Sequence, residues 1–174
     1  MARKKKNYHK HELQTKKCAI ESLEFLTLYG LKQIGAEKII QEYANDELKQ
    51  ITELDLVSDI LSIKKLVDGI KQDLNVCTVT GKGELVCSYV CIALGINQVN
   101  DIHKLTKQEN IWKELLNQKI ISIYYPDKIR NEVVAWCTKN GFNVSAYLGQ
   151  PIVKFNKLFL AIKRAISPSL GENI

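Results

Sequence analysis

Apolar positions in the first half of the chain recur at helical spacing. Across 12–74, Ile20, Leu23, Leu26 and Leu31 share one rhythm, and Ile34, Ile39 and Ile40 sit among Lys and Glu. Val57, Ile60, Leu61, Val67, Ile70 and Leu74 line a single stripe of 52–74, with Asp55, Ser58, Asp59, Lys65 and Gln72 opposite. This pattern predicts a series of amphipathic helices. Gly30 and the pair Asn45 and Asp46 are the expected breaks, with Asp46 placed to cap the segment that follows.

The rhythm changes at residue 75. Val76, Cys77, Thr78, Val79 and Thr80 form a short, β-branched run before Gly81, Lys82 and Gly83, which predicts a strand and a turn. A buried helix is expected over 84–94, stopped at Gly95, and a polar helical stretch over 102–116. The run 119–125 predicts a second strand ended by Pro126. A helix over 127–139 follows, with Ile129, Val133, Val134 and Cys137 on its inner side and Asn140 and Gly141 closing it. A third strand is expected over 142–148. The segment 151–166 reads as a last helix with Phe155, Leu158, Phe159, Ile162 and Ile166 as its apolar stripe.

Alternation of this kind predicts an α/β fold rich in helix, in which a helical N-terminal half packs on a small, mainly parallel, three-stranded sheet. The expected organisation is a basic, disordered arm at 1–17, a single domain at 18–166 and a loose tail at 167–174. The domain divides into a helical part (18–74) and a βαβαβα part (75–166). A chain of 174 residues with 45% apolar and 25% charged residues has the composition of a folded domain. The longest nearly apolar run, 85–96, is shorter than the roughly 20 residues that span a bilayer, so no membrane role and an intracellular location are expected.

Charge changes the picture most. Residues 1–17 carry seven Lys or Arg (Arg3, Lys4, Lys5, Lys6, Lys10, Lys16 and Lys17) against Glu12, a net +6. Residues 18–118 carry ten basic and fifteen acidic side chains, and 119–174 eight basic and three acidic. A basic arm, an acidic middle and a basic C-terminal third suit a polyanion partner, since each phosphate neutralised releases condensed counterions. Tyr8, His9 and His11 lie among the arm lysines, where they can stack on bases. In the C-terminal third, Lys154, Lys157, Lys163 and Arg164 flank the apolar stripe, with Lys119, Lys128, Arg130 and Lys139 as further cations.

Candidate chemistry is sparse. Cys18, Cys77, Cys87, Cys91 and Cys137 contain no Cys-x-x-Cys pair, and no histidine is spaced to complete a metal site with Cys87 and Cys91, so reduced thiols and no metal are expected. Gly81, Lys82, Gly83 and Glu84 form a possible anion-binding turn, but the Walker pattern is absent. Tyr125, Pro126 and Asp127 supply the start of a nuclease-like pattern whose Glu-x-Lys part is missing. A helix-turn-helix over 24–43 would present Glu37 and Glu42 against Lys38, an unfavourable balance for a groove-reading helix. The reading that remains is a non-catalytic protein that binds DNA or RNA through the arm and the basic C-terminal third, without a cofactor. Two alternatives stand beside it: a regulator or inhibitor that binds a protein of a nucleic-acid-processing complex, and a nucleotide- or phosphate-binding enzyme at the 81–84 turn.

Overall fold

The computed structural model describes residues 2–166, and side chains from residue 8 onward; the tail expected at 167–174 lies outside the described residues. Three long helices come first: α1 (Ala2–Gln33), α2 (Lys38–Glu53) and α3 (Val57–Leu74). Their buried positions follow the helical repeat. Leu23, Thr27 and Leu31 face inward from α1, Ile40, Ala44, Leu48 and Ile51 from α2, and Val57, Ile60, Ile63, Leu66, Val67 and Ile70 from α3. Asn75, left-handed at φ 54°, closes α3.

Because α1 begins at Ala2, residues 2–17, read from the sequence as an unstructured arm, are the first turns of this helix. Lys, Leu, Gln and Glu are strong helix formers, and Lys17 lies 3.9 Å from Glu21 one turn on. The repulsion expected of a lysine block is set against this helix propensity.

The sheet corrects the expected architecture. It has four strands rather than three and is mixed rather than mainly parallel: β1 (Ile120–Pro126), β2 (Asn143–Tyr147), β3 (Gln150–Lys154) and β4 (Phe159–Ala165), in the order β1-β4-β3-β2. Only β1 and β4 are parallel; β4–β3 and β3–β2 are antiparallel. The last helix expected over 151–166 is the β3–β4 hairpin. Its apolar residues fall three and four apart, but Leu160, Ala161 and Ile162 are all buried because β4 is a central strand covered on both faces. The turn between them is set from far away. The carboxylate of Asp59, on α3, accepts the backbone N–H groups of Asn156, Lys157 and Leu158 at 3.1, 2.7 and 2.9 Å. Asp59 is thus 1% exposed, not on the solvated side of its helix.

The first expected strand, 76–80, is not a strand of the sheet: it has no regular secondary structure and makes one ladder-like bond, from Val79 N–H to Tyr124 O at 2.8 Å. The next outward-facing group of β1, the N–H of Ser122, goes instead to the Glu84 carboxylate at 2.7 Å. These two contacts cover part of the β1 edge of the sheet. The helix expected over 84–94 is a 3₁₀ turn (Glu84–Cys87) followed by α4 (Tyr89–Ala93), and a second 3₁₀ turn (Ile102–Lys104) precedes α5 (Ile111–Gln118). Helix α6 (Arg130–Lys139) connects β1 to β2 and packs on the sheet with Val133 and Cys137 buried. Gly30 lets α1 approach α4; a Cβ there would lie 1.8 Å from Ala93 O.

Candidate nucleic-acid interface

Strands β1 and β4 run parallel, so their carboxyl ends lie together, with Tyr124 beside Lys163, Tyr125 beside Arg164 and Pro126 beside Ala165. Alternation along the strands sends Tyr124 and Lys163 to one face and Tyr125 and Arg164 to the other. On the first face, Lys163 Nζ lies 5.9 Å from the Tyr124 ring centre. Lys82 Nζ, from the 81–84 turn, lies at the same distance from that ring. An aromatic ring flanked by two ammonium groups joins a stacking surface to phosphate-binding charge.

The turn that carries Lys82 is held firmly. Gly83 has φ 98°, and a Cβ on it would stand 2.3 Å from Ser122 O, so no side chain fits between turn and strand. The N–H groups of Gly81 and Lys82 bond to Gln98 O and Val79 O, the second at a long 3.4 Å. Glu84 accepts from Ser122 N–H and, at 3.2 Å, from the Gln118 amide. Gly83 and Glu84 therefore fasten the turn to β1, Gly81 ties it to Gln98, and Lys82 is its outward-facing charge.

On the second face, Arg164 Nη1 lies 3.3 Å from Asp127 and Nη2 donates to Asn131 at 3.0 Å. Arg130, the first residue of α6, shares this neighbourhood. Burial and then the Arg164 charge lower its guanidinium below the ordinary value, with Asp127 opposing. Its Nε is buried without a hydrogen-bond partner among the described residues. Arg164 pairs with Asp127 while Arg130 stands close enough to feel both charges, and exposed Lys128 on the preceding turn adds to the cations here.

The remaining cations are elsewhere. Lys154 and Lys157 sit at the β3–β4 turn, the opposite end of β4 from Lys163 and Arg164. Seven residues of strand separate the ends by about 20 Å. The four residues expected along one helix are therefore split. Lys157 is also occupied, donating to Leu54 O at 2.8 Å with Asp55 3.9 Å away. On α1, Lys10, Lys16 and Lys17 are exposed. Tyr8, His11 and Lys16 line a cavity of about 900 Å³ whose far wall includes Asp55, Ser58 and Asn156. The side chains of Arg3, Lys4, Lys5 and Lys6 fall outside the described residues.

Sequence reasoning passed over Tyr124; the signal was its place in the alternating strand, one step before the turn that carries Asp127 and Lys128. Among the described residues, no three His, Cys, Asp or Glu side chains gather as a metal site. Cys91 is buried, with its thiol pushed up by that burial. No helix of the structure is long and apolar enough to cross a membrane. No protein-family model matches the chain, and no curated protein matches it.

Proposed function

We propose that this protein binds nucleic acid without catalysis, through phosphate contacts centred on the carboxyl ends of β1 and β4. The observation that carries this reading is the placement of Lys82 and Lys163 on the two approaches to Tyr124, with Arg130 and Arg164 behind them. Phosphates would meet the cations and an unpaired base would stack on the ring. The basic first turns of α1 supply a second contact, near the β3–β4 turn.

The test is fluorescence anisotropy with labelled DNA and RNA strands at low salt. Combining Lys82→Gln, Lys163→Gln and Arg164→Gln is expected to weaken binding by about tenfold or more. Combining Lys38→Gln, Lys65→Gln and Lys104→Gln, which removes the same charge from the acidic middle of the chain, is expected to change it by about twofold at most. Equal losses from the two sets would overturn the assignment of the site.

A protein partner is the second reading. It is favoured by the apolar group on the outer side of α1, where Phe25, Leu28 and Tyr29 are 67%, 46% and 56% exposed. The phosphate-binding enzyme reading has less support, because the backbone N–H groups of Gly81 and Lys82 and the Glu84 carboxylate are already engaged.

A further inference from the structure

We infer that the N-terminal half of α1 selects duplex DNA, by lying as a helix in its major groove. The inference rests on the nucleic-acid reading above and narrows it to one class of polymer.

Residues 8–18 of α1 are all exposed, and Ala19 is the first of the described side chains to be partly buried. The helix therefore continues past its packed half, and residues 2–17 make about 24 Å of it. Its two sides differ. Tyr8, Glu12, Thr15 and Ala19 recur at helical spacing and line the cavity that faces the start of α3. Lys10, Gln14 and Lys17 recur on the opposite stripe, and the sequence extends that spacing to Lys6 and Arg3. Glu12 is the one acid between residues 2 and 17, and it belongs to the cavity side. The outer stripe thus holds cations and an amide, with no carboxylate before Glu21.

Such a stripe destabilises its own helix. Cations three and four residues apart repel one another, and burial against the domain begins only at Ala19. A partner that offsets this repulsion carries negative charge on both sides of a slot as wide as a helix. B-form DNA has that shape: its major groove is about 12 Å wide, and an α-helix is about 10–12 Å across. Lysines meet the phosphates on either wall. Gln14 brings a donor beside an acceptor, the match for N7 and N6 of adenine at the floor. The major groove of duplex RNA is deep and narrow and does not admit the helix. Charge alone would serve both duplexes; the helical form of the charged segment is what separates them.

The experiment is fluorescence anisotropy of the full chain with duplex DNA, duplex RNA of the same sequence and single-stranded DNA. The native chain is expected to bind duplex DNA about tenfold or more tightly than duplex RNA. Thr15→Pro breaks the helix on the N-terminal side of residue 15 and leaves every charge in place. Thr15 is exposed and on the cavity side, so the fold and the outer stripe keep their side chains. This variant is expected to lose helical circular dichroism and its preference for duplex DNA, while single-strand affinity changes by about twofold at most. Thr15→Ala keeps the helix and should keep the preference. Lys10→Gln combined with Lys17→Gln should make the salt slope for duplex DNA shallower by about 2. Equal affinity of the native chain for the two duplexes overturns the inference, as does a Thr15→Pro protein that loses helix and keeps the preference. If single strands still bind in either case, and binding falls on changing Lys82, Lys163 and Arg164, the site at β1 and β4 stands without it. A native chain that binds none of the three polymers overturns both.

Discussion

Replacing Glu47 with alanine is expected to remove about 3–5 kcal/mol of folding stability, read as a shift of the urea midpoint at constant slope. Glu47 is only 4% exposed and reaches from α2 into the junction of α4 and α5. Its carboxylate accepts the Ser88 hydroxyl at 2.5 Å, the backbone N–H of Tyr89 at 2.7 Å and the Trp112 indole N–H at 3.1 Å, with Val90 N–H at a longer 3.5 Å. Ser88 in turn accepts Cys91 N–H at 3.1 Å. Truncation would leave these donors buried and unpaired, and each such group costs about 1–3 kcal/mol.

Burial raises the Glu47 carboxyl above the ordinary glutamate range, while the donors from Ser88, Trp112, Tyr89 and Val90 oppose it. The native state therefore holds this proton more tightly than the unfolded chain does. Its contribution to stability is complete below the unfolded value and is lost as pH rises through the native one. Glu47→Gln, which removes the charge and keeps an acceptor, is expected to cost less than alanine and to flatten that part of the pH profile.

The second large effect is expected at Asp59. Its side chain is the only described partner for three consecutive turn N–H groups, so Asp59→Ala should cost about 2–4 kcal/mol. Hydrogen exchange locates the damage. The amides of Asn156, Lys157 and Leu158 should lose protection first, whereas those of α2 should respond only through the global change. Because β4 starts directly after this turn and carries Lys163 and Arg164 toward its far end, the variant should also weaken nucleic-acid binding. Asp59→Asn retains one acceptor oxygen and is expected to fall between the two.

These two carboxylates also show where the sequence was legible and where it was not. The stripes of the helical first half could be read because they obey a local rule: Val57, Ile60, Val67 and Ile70 face one way whatever they pack against; its breaks could not, since α1 runs on through Gly30 and α2 through Asn45 and Asp46. β1 and β2 could be read as well, since 120–125 and 143–147 lie between breakers. The β3–β4 hairpin could not. Its turn has no glycine or proline at Asn156 and Lys157 and is specified by Asp59, 97 to 99 residues away along the chain. The same distance effect hid the role of Glu84, whose partner Ser122 is 38 residues on.

The positive C-terminal third was visible in composition, but its geometry was not. Helical spacing would have collected Lys154, Lys157, Lys163 and Arg164 on one element, whereas a hairpin sends them to opposite ends. Lys82 joins Lys163 only because Gly83 allows the turn to lie against β1. Tyr124 meets Lys163 through the parallel pairing of β1 with β4 and Lys82 through the packed turn, contacts no local pattern encodes.

The most direct test is the salt dependence of nucleic-acid affinity, measured for the native chain and for the combined Lys82→Gln, Lys163→Gln, Arg164→Gln variant. If these cations meet phosphates, the logarithm of affinity for duplex DNA falls steeply with the logarithm of salt in the native chain. The variant's slope should then be shallower by about 2–3. Parallel lines for the two proteins, or no binding by the native chain in dilute buffer, would contradict the account.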